Sequence, residues 1–203
     1  MKRSIIGALL VVGIFAAPTA ALGAASERES ATVPDAGIEL AYPADWVRVD
    51  YGTTDFDTMF EAAHAQDPRV TRRQVREWAD AARSVDASFF AMERRSGDNV
   101  LVTVRGDDFD EAFFESSVAQ LESDVKAEVR AKGLKLLGHV QATNIGSGTA
   151  YRWSTSFGGT ESSNLYFAHP ETNATVAVTV TTDNDASGRR VARSILDSVA
   201  LSD

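Results

Sequence analysis

From residue 38 the apolar positions fall on every second residue: Ile38, Leu40 and Tyr42, then, past a break at Pro43, Val47, Val49 and Tyr51. Side chains of an extended chain alternate between two faces, so each set predicts a strand with one buried face, and the turn between them lies at 43–45. The spacing then changes. A short helical patch is predicted over 57–65 and Pro68 stops it. Thr71, followed three residues later by Gln74, has the form of a capping box. After it Val75, Trp78, Ala79, Ala82 and Val85 recur at about 100° per residue, which predicts an amphipathic helix with Arg69, Arg72, Arg73, Arg76 and Arg83 on its outer side.

Strand periodicity returns at 88–95 and 99–105, joined by the turn-forming triplet Ser96-Gly97-Asp98. Phe114, Val118, Leu121, Val125 and Val129 then predict a helix over about 110–132, with Asp108 to cap its start and Gly133 its end. Four strands follow at 135–143, 149–157, 162–169 and 175–181 as a meander. In the last of them Val176, Val178 and Val180 alternate with threonines, the pattern of an antiparallel strand with one face more deeply buried. A final helix begins near 185 and turns Val191, Ile195 and Val199 inward. The expected fold class is α+β, an antiparallel sheet of about six to eight strands sandwiched by helices. Residues 26–36 are polar and are expected as a flexible lead-in to a single domain over 37–203.

The N-terminal pattern is of another kind. Lys2 and Arg3 precede an uncharged run over 5–17, Pro18 breaks it, and small residues follow to position 25. This is the layout of a signal peptide over 1–25. Its apolar run falls short of the roughly 20 residues a spanning helix needs, so no integral membrane span is expected after cleavage. The chain has no cysteine, which excludes a lipid anchor on a cysteine and a disulfide framework. A secreted, extracytoplasmic location is expected. The formal net charge of -9 becomes two units more negative once Lys2 and Arg3 leave with the leader, and such a chain repels phosphate backbones, so nucleic acid is not an expected partner. Arginine outnumbers lysine sixteen to four, a bias that points to a high-GC, actinobacterium-like source.

Two short motifs, "YPADW" at 42–46 and "SILDSV" at 194–199, together with the four-strand meander and the closing helix, resemble the PsbP-like superfamily and within it the actinobacterial LpqN-type branch. The resemblance covers about 37–202. It implies an antiparallel sheet sandwiched by helices and roles in binding: assembly factors, extrinsic subunits, and envelope proteins linked to glycolipid transport. It carries no family-wide catalytic residues, and this chain departs from the LpqN-type pattern in lacking the anchor cysteine.

The chemistry-bearing residues add little to that. In "DNDASG", Asp183, Asp185, Ser187 and Gly188 match positions 1, 3, 5 and 6 of a calcium loop, but position 12 is Ser194, where the bidentate glutamate belongs, so a helix cap is the better reading. The acidic run of Asp107, Asp108, Asp110, Glu111 and Glu115 sits at an expected helix start, where the dipole favours carboxylates. His64, His139 and His169 lie in different elements, and there is no G-x-S-x-G elbow. No catalytic residue, metal site or cofactor is therefore expected. Two binding candidates remain: the arginine face, with Arg72, Arg73 and Arg76 placed to meet an anionic lipid or partner, and the aromatic face of Tyr151 and Trp153. The expected function is that of an exported, non-enzymatic binding or interaction accessory of the cell envelope or exterior, with an envelope protein or a lipid or glycolipid as partner. An apolar-ligand carrier with an internal cavity and a hydrolase of unrecognised type are the alternatives.

The leader generates a direct expectation. The mature protein begins at Ala24 or Ser26 and is found in the medium, as N-terminal sequencing of secreted material would establish; an intact Met1 or a wholly membrane-bound pool would contradict it.

Overall fold

The computed structural model describes residues 27–52, 55–105, 114, 116–172 and 174–202. Among these the order is β1 (Arg28–Val33), a 3-10 turn (Pro34–Ala36), β2 (Ile38–Pro43), β3 (Val47–Arg48), α1 (Phe56–Gln66), α2 (Arg72–Ser84), β4 (Ala87–Met92) and β5 (Asn99–Arg105). Then come α3 (Val118–Ala131), β6 (Lys135–Ile145), β7 (Gly148–Phe157), β8 (Thr160–Ala168), β9 (Thr175–Asp183), α4 (Ala186–Leu196) and β10 (Ala200–Leu201). The strands form a three-stranded sheet, β1-β2-β10, and a seven-stranded sheet, β3-β4-β5-β9-β8-β7-β6, with antiparallel pairing throughout. The chain is α+β, with helices packed against both faces of the larger sheet.

Register follows from the apolar pattern of the central strand. Val176, Val178 and Val180 of β9 stand opposite Val104, Val102 and Val100 of β5, and Val176 and Val178 opposite Phe167 and Leu165 of β8. These side chains share one face, because the strand period is two residues. Ile38, Leu40 and Tyr42 of β2, Trp46, and Ala192, Ile195 and Leu196 of α4 close over that face as one core.

The opposite face carries two separate apolar caps. At the β3-β4-β5 end Met59 and Ala63 of α1 with Val75, Trp78, Ala79 and Ala82 of α2 cover Phe90, Met92 and Leu101. At the β6-β7-β8 end Leu121, Val125 and Val129 of α3 cover Val140, Tyr151, Trp153 and Tyr166. Between the caps the sheet is buried but polar. Thr179 donates to Asn164 Oδ1 at 3.0 Å, and the Ser162 and Thr181 hydroxyls lie 3.1 Å apart. Burial of such groups is tolerable only when they bond one another, as these do.

The helix ends are set locally. Thr71 and Gln74 form the reciprocal capping box, Asp55 caps α1, and Ser117 caps α3. Asp185 caps α4 by accepting from the Gly188 amide at 2.7 Å, which takes the "DNDASG" stretch for helix initiation. Gly133, at φ +71°, follows the α3 terminus as expected of a left-handed stop. Gly37, at φ +60°, packs beneath a ring: a Cβ there would lie 2.2 Å from His169 Nε2.

The structure corrects the expected lead-in. Residues 28–33 are not a flexible approach but β1, paired along its length with β2, with Ala31 and Val33 in the core. Ala31 and Val33 give too weak an alternation to announce a strand, and the partner that orders it lies further along the chain. A tenth strand, β10, pairs with β2 through Ala200 and Leu201. The helix expected over 110–132 starts later, at Val118, because Ser117 is extended and caps it; Asp108, the expected cap, and residues 110–113 and 115 lie outside the described residues.

Trp46 is buried in the core that contains Ile195 and Leu196, with Val199 packed against it, and its amide closes the turn by donating to the Pro43 carbonyl at 3.0 Å. Trp46→Ala should therefore cost about 3 kcal/mol or more of stability, read as a shift in urea unfolding midpoint at unchanged slope.

Candidate functional site

On α2 the arginines are largely matched to neighbours. Arg72 ion-pairs with Asp57, and its guanidinium lies 4.9 Å from the Phe60 ring centroid and 5.4 Å from that of Phe56. Arg73 bonds Glu77 at 2.7 Å, four residues on, and Arg83 lies 3.6 Å from Asp80. Arg76 stacks over Phe56 at 4.9 Å and has no carboxylate partner among the described residues. Asp67 collects Arg69 at 2.8 Å and Arg94 at 3.0 Å, and the Arg69 hydrogen bond above all holds its carboxyl well below the usual range. The exposed pairs of Arg72, Arg73 and Arg83 stabilise by about 0–1 kcal/mol each, so they shape the charge of the surface more than they hold the fold, whereas Asp67 and Arg94 meet in a largely buried pair.

Tyr151 and Trp153 are brought together with each other and not with the arginines. They sit under α3, at the far end of the same sheet face. Trp153 stacks on Tyr166 with centroids 4.6 Å apart, and Tyr151 donates to the Phe114 carbonyl at 3.4 Å. Leu121, Val125 and Val129 occupy the space above these rings, so the face is built as core. Trp153 Nε1 finds no acceptor among the described residues.

A third place was not foreseen. β3 pairs with only the C-terminal half of β4, Val47 with Met92 and Arg48 with Ala91, and the β4–β5 ladder shifts register between Ala87 and Phe89, leaving Ser88 as the extra residue of a bulge. Val49 carries the pairing one bond further by donating to the Phe90 carbonyl at 3.1 Å, and beyond it lies an open cleft of about 220 Å³ lined by Asp35, Arg48, Val49, Asp50, Tyr51, Gly52 and the 87–90 stretch of β4. The Tyr51 hydroxyl donates to the Ala87 carbonyl and so fixes one wall. Burial first, then the carboxylates of Asp86, Asp50 and Asp35, push that hydroxyl above its ordinary range. Asp86, just before β4, has φ +51°, a left-handed conformation that Asp adopts more readily than most residues. The Arg48 guanidinium lies 5.5 Å over the Phe89 ring. The cleft thus offers a bulged strand end, an aromatic wall and both signs of charge, the equipment for holding a polar ligand. Its sequence signal was slight: nothing local marks Ser88 as a bulge.

Among the histidines, His139 meets Glu122 of α3 at 3.0 Å, a pair that a separation of 17 residues hides in the sequence. Glu122 also binds Lys126 and accepts from the Val140 amide at 3.2 Å, so its carboxyl drops to about 2, with Lys126 the largest cause. His64 lies 3.3 Å from the Val70 carbonyl, and His169 accepts from the Glu171 amide at 3.3 Å. No group of three His, Asp or Glu side chains placed to hold a metal occurs among the described residues. The acidic run at Asp107, Asp108, Asp110, Glu111 and Glu115 lies outside them.

No protein-family model matches the chain, and no curated protein matches it. Among solved structures it is similar to the Saccharomyces cerevisiae Ran-binding protein Mog1p, at 7% identity and TM-score 0.48, over 88% of this chain and 97% of that one. It is also similar to LpqN, a protein involved in cell envelope biogenesis of Mycobacterium tuberculosis, at 12% identity and TM-score 0.44, over 89% of this chain and 87% of that one. Both relations are distant and structural. Among the described residues no helix is long and apolar enough to cross a membrane.

One carboxylate generates a pH prediction. Burial and the nearby Asp183 carboxylate push Asp98 up to about 6, while Asp98 Oδ1 accepts the Asp183 amide at 3.2 Å. The folded state holds this proton where the unfolded chain has lost it, so stability falls as pH rises from about 4 to 6. Asp98→Asn should therefore stabilise the protein by on the order of 2 kcal/mol at pH 7.5, with the gain vanishing below about pH 4, in thermal unfolding measured across that range.

Proposed function

We propose that the chain is an exported, non-enzymatic binding accessory of the cell envelope or exterior, linked to lipid or glycolipid handling, and that it engages its partner through the cleft beside β4. The cleft carries this reading. It is open, it is lined by the Ser88 bulge, and it combines Arg48 with Asp35 and the Tyr51 ring. A polar head group suits such walls better than an acyl chain does. The strongly bound carboxylates, Asp67 and Glu122, are each tied to two charged or ring partners, which supports a structural use for them over acid–base chemistry. The carrier alternative draws less support, since the aromatic face that would line an internal cavity is filled by α3.

The test fills the cleft and leaves the fold alone. Envelope lipids and proteins retained by the tagged mature chain are identified by mass spectrometry for the wild type, for Ser88→Trp, and for the Arg72→Gln, Arg73→Gln, Arg76→Gln triple variant. The species that define the function should be lost at least about tenfold, or 1.4 kcal/mol, from Ser88→Trp while unfolding is unchanged, and should be kept by the triple variant. Retention by a folded Ser88→Trp protein would contradict the cleft, and loss in the triple variant alone would move the site to α2.

A further inference from the structure

The charge around the cleft beside β4 is mostly of one sign. Asp35 comes from the 3-10 turn between β1 and β2, Asp50 from the segment after β3, and Asp86 from the turn into β4, and all three are exposed. Their fields meet at the Tyr51 hydroxyl. Burial is the first reason that this group keeps its proton, and the carboxylates of Asp86, Asp50 and Asp35 are the next, with Arg48 opposing them.

The two guanidinium groups nearby do not reverse this balance. Arg48 lines the cleft with its guanidinium over the Phe89 ring, and its charge is shared with Glu29. Burial and then Glu29 push the hydroxyl of Tyr42, which packs against Phe89, up to about 12, while Arg48 works against them. Arg83 of α2 donates to the Tyr51 carbonyl at 3.4 Å and lies 3.6 Å from Asp80, whose carboxylate offsets it. The cleft therefore stays negative with both arginines counted, as the whole chain does at -9.

The walls suit a cation in a second way. The face of an aromatic ring attracts a positive group, as Arg48 over Phe89 already shows, and the half-buried Tyr51 ring offers another such face within the cleft. Size narrows the choice further. At about 220 Å³ the opening is smaller than the roughly 300–1,000 Å³ of a site for a drug-sized ligand, so it takes one small head group and not a whole lipid.

We propose that the group bound in this cleft is an organic ammonium, seated on the Tyr51 ring with Asp35 and Asp50 at its border. The inference rests on the reading of the cleft as the binding site and adds the sign and class of its ligand. The ammonium is free in solution or carried on a lipid head group, and the chemistry of recognition is the same for both.

The test titrates the mature chain with tetramethylammonium chloride and with ethanolamine, and with glucose and inorganic phosphate as the neutral and anionic counterparts, followed by amide chemical shifts. The two ammonium probes should saturate with a Kd of about 1 mM or tighter, shift residues 48–52 and 87–90, and weaken as ionic strength rises. Asp35→Asn should weaken them about three- to fivefold at an unchanged unfolding midpoint, as expected for one exposed ion pair. Arg48→Gln removes the competing charge and should tighten them, whereas an anionic ligand would be lost with it. Cosedimentation with vesicles containing phosphatidylethanolamine, but not with vesicles of phosphatidylglycerol alone, assigns the ammonium to a lipid, and binding of the soluble probes alone assigns it to a free amine. Phosphate or glucose held at 48–52 and 87–90 in place of the ammonium probes would overturn the inference and leave the cleft as the site. Ammonium binding that survives Ser88→Trp would overturn both, and an absence of ammonium binding would overturn the inference alone.

Discussion

The alternation of valine and threonine along β9 is the constraint on which the rest of the structure depends. β9 lies at the centre of the seven-stranded sheet, between β5 and β8, and its residues from Val176 to Thr182 are buried. Because successive side chains point to opposite faces, a slip of one residue would drive the valines into the polar strip and the threonines into the apolar core. Both faces would lose at once. On one side Val176, Val178 and Val180 would leave Ile195, Leu40 and Phe167; on the other Thr179 and Thr181 would leave Asn164 and Ser162.

That two-sided strand also explains where binding surfaces can lie. The valine face is fully used by β2, Trp46 and α4. The threonine face divides the helices into two caps, α1 with α2 at one end and α3 at the other, because a polar strip gives an apolar helix nothing to cover. The arginines of α2 and the rings under α3 are consequently parts of different caps. Among the described residues, one opening lies at the margin of the sheet, the cleft beside the bulged end of β4.

The parts of this arrangement that were legible in the sequence are those encoded within a few residues. The Thr71–Gln74 capping box, the Asp185 cap, the meander from β6 to β9 and the inward valines all follow from local spacing. Trp46 and Ile195 were readable as core, and the structure joins them in one cluster. What escaped reading depends on residues far apart. β1 becomes a strand because β2 pairs with it, and Ala31 and Val33 alone are too weak a pattern. His139 and Glu122 meet only because α3 packs on β6. The cleft arises where β3 stops short of the Ser88 bulge, and neither residue types nor spacing near 88 foretell it.

The contact between Gly37 and His169 ties two distant positions into one unit of change. His169 is buried, its ring accepts the Glu171 amide, and the space a Cβ would need at 37 is already taken by that ring. A side chain at 37 is therefore admissible only after residue 169 has become smaller, and even then the left-handed backbone at 37 favours asparagine or aspartate over other choices. The order of substitution is thus directional: divergent forms of this protein can reach a non-glycine residue at 37 by way of a reduced 169, but not by the opposite route.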